Sequence, residues 1–267
     1  MLEAYGRATR TPLSDDPVEQ PIRIYALGSF AVLKEDAPLS FGPKPQRKPK
    51  NLLKAVLAFG GTDVSCQVLT DALWPEAEGD AARNAFDVTL YRLRKFMQRS
   101  DAIFLREGML SLNPSTCWVD MWEFEQVLRK LAIVVRHSPT REIASLTGQM
   151  LELYRGSFLS AESEPWILSC RERLHVKFQR HASMAGERLE RGGFFDEAAE
   201  IYQRALELDP LAEEFYRRLM ICRHRAGRIA EGLAVYRRCS DILSLTSSVQ
   251  PSEQTRAVYR SLVRQTP

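Results

Sequence analysis

One short segment carries an amide and a row of cations at helical spacing, groups that hydrogen-bond to base edges and phosphate oxygens. Between Leu73 and Met97 the apolar residues Phe86, Leu90, Leu93 and Met97 recur so as to fall on one side of a helix. A rotation of about 100° per residue places Asn84, Val88, Lys95 and Arg99 on the opposite side, with Tyr91 and Arg92 beside them. One face can then be held by a core while the other turns an amide and cations outward, the division a helix-turn-helix recognition helix requires. An ordinary surface helix with a solvated basic face has the same pattern. Its neighbours must decide between the two.

Ile22, Ile24, Phe30 and Val32 sit at even positions around Gly28-Ser29 and predict two short strands, followed by the turn Glu35–Pro38. Pro43, Pro45 and Pro49 punctuate a basic run, so a first helix is expected to start near Pro49, carry Leu52, Leu53, Val56 and Leu57 inward, and end at Gly60-Gly61. Ser65 is placed to cap a second helix that buries Val68, Leu69, Ala72 and Leu73 and stops at Trp74-Pro75. After the basic helix, two apolar-rich runs flank Glu107-Gly108 as a tight hairpin with Arg106 near its tip, a candidate contact to nucleic acid. Strands, three helices and a hairpin form the layout of a winged helix.

From Trp118 onward the pattern is helical throughout and contains a repeat. The segment from Gly193 aligns with that from Gly227 at an offset of 34 residues, superposing Glu197 on Glu231, Tyr202 on Tyr236 and Arg204 on Arg238, and Pro210 closes the first unit. This is a tetratricopeptide signature, in which paired helices stack and an aromatic fills the groove between them. The expected fold is mainly α with a small α+β part. A leader spans residues 1–20, a winged helix-turn-helix domain residues 21–116, and an all-α tetratricopeptide-like domain residues 117–267.

The 267 residues are 45% hydrophobic and 27% charged, in the globular range. No apolar run approaches a membrane span or a signal sequence, so a cytoplasmic location is expected. Residues 21–125 hold 13 Lys/Arg and 13 Asp/Glu, a balance that does not by itself announce a nucleic-acid binder. The cations are nevertheless clustered: Lys44, Arg47, Lys48, Lys50 and Lys54 in one segment, and Arg83, Arg92, Arg94, Lys95 and Arg99 in another. Local clusters suffice to engage phosphates because screening leaves near charges dominant. Five scattered cysteines show no Cys-x-x-Cys pair, four histidines no metal spacing, and no serine or cysteine sits in a nucleophile elbow. No enzyme, metal or cofactor is expected.

In both halves the chain resembles regulators of the Streptomyces antibiotic regulatory protein type, an OmpR-like winged helix joined to a bacterial transcriptional activator domain. The resemblance runs from about Ile22 to Leu262. It rests on Leu27–Phe30, Leu73–Pro75 and Phe86–Lys95 in the first half, and on Leu153–Leu159, Trp166, Arg171, Arg173-Leu174 and Pro251–Arg256 in the second. It implies an activator that binds duplex DNA, with direct repeats and a homodimer as the expected arrangement and RNA polymerase as a partner. Carried over, Asn84, Val88, Thr89, Arg92 and Lys95 face the major groove, and Arg94 and Arg83 meet phosphate or, for Arg94, the carboxylate of Asp87. Lys44, Arg47 and Lys48 touch the DNA backbone. Pro75, Glu76, Ala77 and Glu78 match the segment that approaches the polymerase. The Pro43–Lys50 run and Gly60-Gly61 are closer to versions joined to large signalling ATPases, although no phosphate-loop motif occurs in this chain. Two other readings stand beside the activator: a helical-repeat interaction adaptor, and the output part of such an ATPase.

Overall fold

The computed structural model describes residues 20–40, 47–137 and 140–264, so the leader expected over residues 1–20 lies outside the described residues except for Gln20. The chain divides into two compact units, Met1–Glu123 with Phe158–Glu172, and Phe124–Ser157 with Arg173–Pro267.

The first unit contains β1 (Ile22–Tyr25), β2 (Ala31–Lys34), β3 (Ala37–Pro38), α1 (Arg47–Ala58), β4 (Val64–Ser65), α2 (Cys66–Leu73), α3 (Gly79–Met97), β5 (Ile103–Arg106), β6 (Met109–Leu112) and β7 (Cys117–Val119). The expected strand pair forms in the register Ile24↔Val32, and Ile22, Ile24 and Val32 are buried. A four-stranded sheet runs β3-β2-β1-β7, with β7 parallel to β1. The helical reading from Trp118 onward therefore needs correction. Three residues are too short to show a period, and their partner strand lies far away in sequence.

The helical trio is held by Leu52, Leu53, Val56 and Leu57 of α1, Leu69 and Leu73 of α2, and Phe86, Leu90, Leu93 and Met97 of α3, all buried. Val68, expected inside, is instead an exposed side chain, and Ala72 is half-buried. An eight-residue helix buries only a narrow stripe. Gly60 and Gly61 end α1 as expected, the Gly61 amide donating to the Val56 carbonyl and the Gly60 amide to that of Leu57. A Cβ on Gly61 would meet the Trp122 ring at 2.5 Å, while the Trp122 indole donates to the Gly60 carbonyl. Ser65 occupies the cap position of α2 but its hydroxyl makes no capping bond. Its backbone is committed to β4, and the Cys66 amide is satisfied by the Gly108 carbonyl instead.

The hairpin is present: β5 and β6 pair from Ile103↔Leu112 to Arg106↔Met109, and β4 completes a three-stranded sheet. Glu107 and Gly108 both have positive φ (49° and 75°), the two-residue turn whose twist matches the strands.

A buried carboxylate fastens this unit. Asp120, the first residue of α4 (Asp120–His137), is fully buried and accepts hydrogen bonds from the Ala26 and Leu27 amides at 2.9 Å each. The segment Phe158–Glu172 returns to the same place: Leu27 bridges to Phe158, and the Leu159 amide donates to the Ala26 carbonyl. Arg171 holds the segment's shape by donating to the carbonyls of Phe158, Leu159 and Glu162.

The second unit is helical: the rest of α4, α5 (Thr140–Leu153), most of α6 (Pro165–Arg191), α7 (Phe195–Leu208), α8 (Glu213–Arg225), α9 (Ile229–Ser247) and α10 (Glu253–Arg264). In its core Tyr154 stacks on Phe178 with ring centroids 4.5 Å apart, and Phe124 packs against Tyr154 at 5.2 Å with its ring tilted by 33°. The helices α7 and α9 start 34 residues apart, the period read from the sequence. The corresponding tyrosines each stack on an aromatic of the following helix, Tyr202 on Phe215 and Tyr236 on Tyr259. The winged-helix and tetratricopeptide-like architectures expected from sequence are thus both present.

All four tryptophans, at 74, 118, 122 and 166, belong to the first unit, so their fluorescence during urea unfolding reports on the surroundings of residues in that unit. Leu93→Ala is expected to destabilise it by about 2–5 kcal/mol through a core cavity. Arg92→Ala, one residue away but exposed, should stay within about 0.5 kcal/mol. Equal losses would mean that the faces of α3 are wrongly assigned.

Candidate nucleic-acid interface

The site is built on the face of α3 that the core leaves free. Asn84, Val88, Arg92 and Lys95 are all exposed along it, with Tyr91 beside them, and Arg83 is exposed on its flank. Thr89 requires correction: it is 5% exposed and cannot face a groove. It lies three residues from Phe86 and four from Leu93, on the edge of the buried stripe. Arg94 is half-buried with its Nε enclosed and making no hydrogen bond among the described residues, and no ion pair joins it to Asp87 there.

Beyond α3 the surface continues into the hairpin. Tyr91, Arg94, Lys95 and Arg99 line a cleft with Phe104 and Arg106. Arg106 is exposed near the turn, its guanidinium 5.1 Å from the Phe104 ring centroid. Arg99 is already engaged: it grips Asp101 with two hydrogen bonds of 3.0 and 2.9 Å. The bonded guanidinium pulls the Asp101 pKa down to about 2, so the pair is fully ionised at neutral pH. Among the described residues lining this cleft, Lys95 and Arg106 are exposed and Arg94 is half-buried, and none of the three forms an ion pair with a carboxylate.

The basic segment of α1 separates in the same way. Lys44 lies outside the described residues. Arg47 is exposed. Lys48 donates to the Leu73 carbonyl at 2.9 Å, and its ammonium lies 5.2 Å from the Trp74 ring centroid, so it braces the end of α2. Lys50 lies over the Phe30 ring. Lys54 is 2% exposed and is bonded to Glu162, so it is unavailable to any phosphate. Burial pushes its pKa down, and the Glu162 carboxylate opposes that shift. In the sequence Lys54 looks like one more member of a cationic run; its counter-ion is 108 residues away. Glu162, which no local pattern singles out, thus helps to position α1.

The loop between α2 and α3 presents Pro75, Glu76 and Glu78 to solvent with Ala77 half-buried, and the Ala77 amide donates to the Trp74 carbonyl. Elsewhere the reactive side chains are sequestered. Burial raises the thiols of Cys117, Cys222 and Cys239 to about 12, which keeps them protonated. His175 faces Asp209 at 3.2 Å, and His181 faces the Lys177 carbonyl. Among the described residues no group of three His, Cys, Asp or Glu is arranged to hold a metal, and no helix is long and apolar enough to cross a membrane.

Removing the Glu162 carboxylate leaves a buried ammonium without its partner. Glu162→Ala is expected to lower the stability of the first unit by about 1–3 kcal/mol, and adding Lys54→Met should recover part of that loss. A double variant less stable than Glu162→Ala, followed by tryptophan fluorescence, would contradict this pairing.

Residues 119–263 match the family described as the bacterial transcriptional activator domain. The regulatory protein AfsR of Streptomyces griseus is 26% identical over 257 residues, covering 96% of this chain and 26% of the relative. AfsR of Streptomyces coelicolor is 23% identical over 247 residues, covering 92% and 24%. The chain therefore spans about a quarter of the length of these curated relatives. In fold it is similar to Mycobacterium tuberculosis EmbR, solved in complex with a low-affinity phosphopeptide, with a TM-score of 0.68 at 18% identity over 93% of this chain and 66% of that one. The chain belongs to the bacterial transcriptional activator domain family, a family of transcriptional regulators, and bears out the resemblance to the Streptomyces antibiotic regulatory protein type.

Proposed function

We propose that the chain regulates transcription by binding duplex DNA sequence-specifically, with the exposed face of α3 in the major groove. One observation carries this reading: Asn84, Arg92 and Lys95 stand exposed around Val88 on a helix whose other side is fully buried. Asn and Arg are the side chains best matched to adenine and guanine edges, and Lys95 supplies charge for the backbone. On this reading Arg83, Arg94, Arg47, Arg106, Lys44 and Lys48 contact phosphates. Residues 21–116 serve as the DNA-binding domain and residues 117–267 as the activator domain, for regulation or oligomerisation. Two protomers bind direct repeats, and the loop Pro75–Glu78 meets RNA polymerase during activation, its exposed carboxylates facing a basic surface. The likeness to the AfsR proteins supports the regulatory role, and the charge distribution on α3 supports the DNA contact.

The adaptor reading draws on the charge balance of residues 21–125 and on the capture of Lys54 and Arg99 by carboxylates. Salt separates the two. For about four neutralised phosphates, raising salt from 50 to 200 mM weakens duplex binding about a hundredfold through counterion release. In gel-shift titrations with the full chain, Arg92→Ala should weaken binding about tenfold while leaving folding intact. No detectable duplex binding at low salt would remove this reading and leave the adaptor.

A further inference from the structure

Val88 stands at the middle of the outward face of α3. At about 100° per residue it lies about 160° around the helix from Phe86 and about 180° from Met97, which mark the buried side. Asn84 and Arg92 lie about 40° to either side, one turn before and one turn after, and Lys95 lies about 20° away. Val88 is 50% exposed, and Tyr91 next to it is 68% exposed.

A β-branched residue is a poor choice for a solvent-facing helix position, because it loses rotamer freedom and gains no packing there. Scattered apolar residues on a surface need no explanation. This one sits among hydrogen-bonding groups, on the line between the amide and the guanidinium that point the same way. Polar groups cannot read the 5-methyl group of thymine, which is recognised by apolar contact. Cytosine presents an amino donor at the neighbouring edge of its ring, which valine cannot accept and would strip of water.

Resting on the reading that α3 enters the major groove, we propose that Val88 determines specificity by packing against the 5-methyl group of one thymine in each half-site. Asn84 and Arg92, about 6 Å before and after it along the helix, set the register through adjacent base edges. The three side chains form one row, polar, apolar, polar.

The test uses the full chain and duplexes that it selects from a random pool. Each thymine of the selected site is replaced singly by deoxyuridine, which removes the methyl group and keeps the base pair. At one thymine per half-site the wild-type chain should lose about fourfold in affinity, the value of one buried methyl. Val88→Ala, whose shorter side chain stops farther from the base, should discriminate thymine from deoxyuridine less than the wild-type chain does, so that the two changes are coupled. Its tryptophan-reported unfolding should match wild type. If every methyl removal weakens wild type and Val88→Ala equally, or no thymine matters, the assignment to Val88 is overturned while DNA binding stands. If the chain retains no duplex from the pool at low salt, the underlying reading is overturned with it.

Discussion

Burial of one apolar stripe governs the arrangement of the first unit. Phe86, Leu90, Leu93 and Met97 are at most 4% exposed, and a helix held by four such residues cannot rotate without opening the core. At roughly 1.5–3 kcal/mol for each large side chain buried, the stripe outweighs any electrostatic preference of the cations on the other side. The outward face is therefore decided by the inward one. Asn84, Val88, Arg92 and Lys95 are exposed together because their opposites are not.

Two buried side chains then hold the remaining parts in register. Asp120 is fully enclosed and takes its donors from the backbone at the end of β1, which ties the start of α4 to the first sheet. Lys54 is enclosed on α1 and takes its counter-ion from Glu162. Each would be costly alone and is tolerable only with its partner in place. Glu162 lies in the returning segment Phe158–Glu172, which Arg171 clamps through three carbonyls. The first unit is thus completed by residues that follow the winged helix by some distance in sequence, and its integrity depends on them.

Much of this was legible in the residues alone. The spacing of Phe86, Leu90, Leu93 and Met97 gives the helix and its two faces, Glu107-Gly108 gives the hairpin, and the correspondence of Tyr202 with Tyr236 gives the helical repeat. These signals are local or periodic. The features that escaped are short or long-range. β7 has three residues and pairs with a strand over ninety positions earlier. Thr89 is placed in the groove by the family resemblance and not by the rotation, and the structure puts it inside, at the margin of the stripe. Lys54 and Arg99 read as members of basic clusters until their carboxylate partners are seen. Charge counts along a sequence do not reveal which cations are already spoken for.

Whether the free face of α3 reads DNA is open to direct observation. A crystal structure of the full chain on a selected duplex tests it most directly. In that complex α3 should lie in the major groove with Asn84, Val88 and Arg92 against base edges and the β5–β6 turn at the sugar-phosphate backbone. A complex in which the duplex is held elsewhere and the face of α3 stands in solvent would contradict that placement.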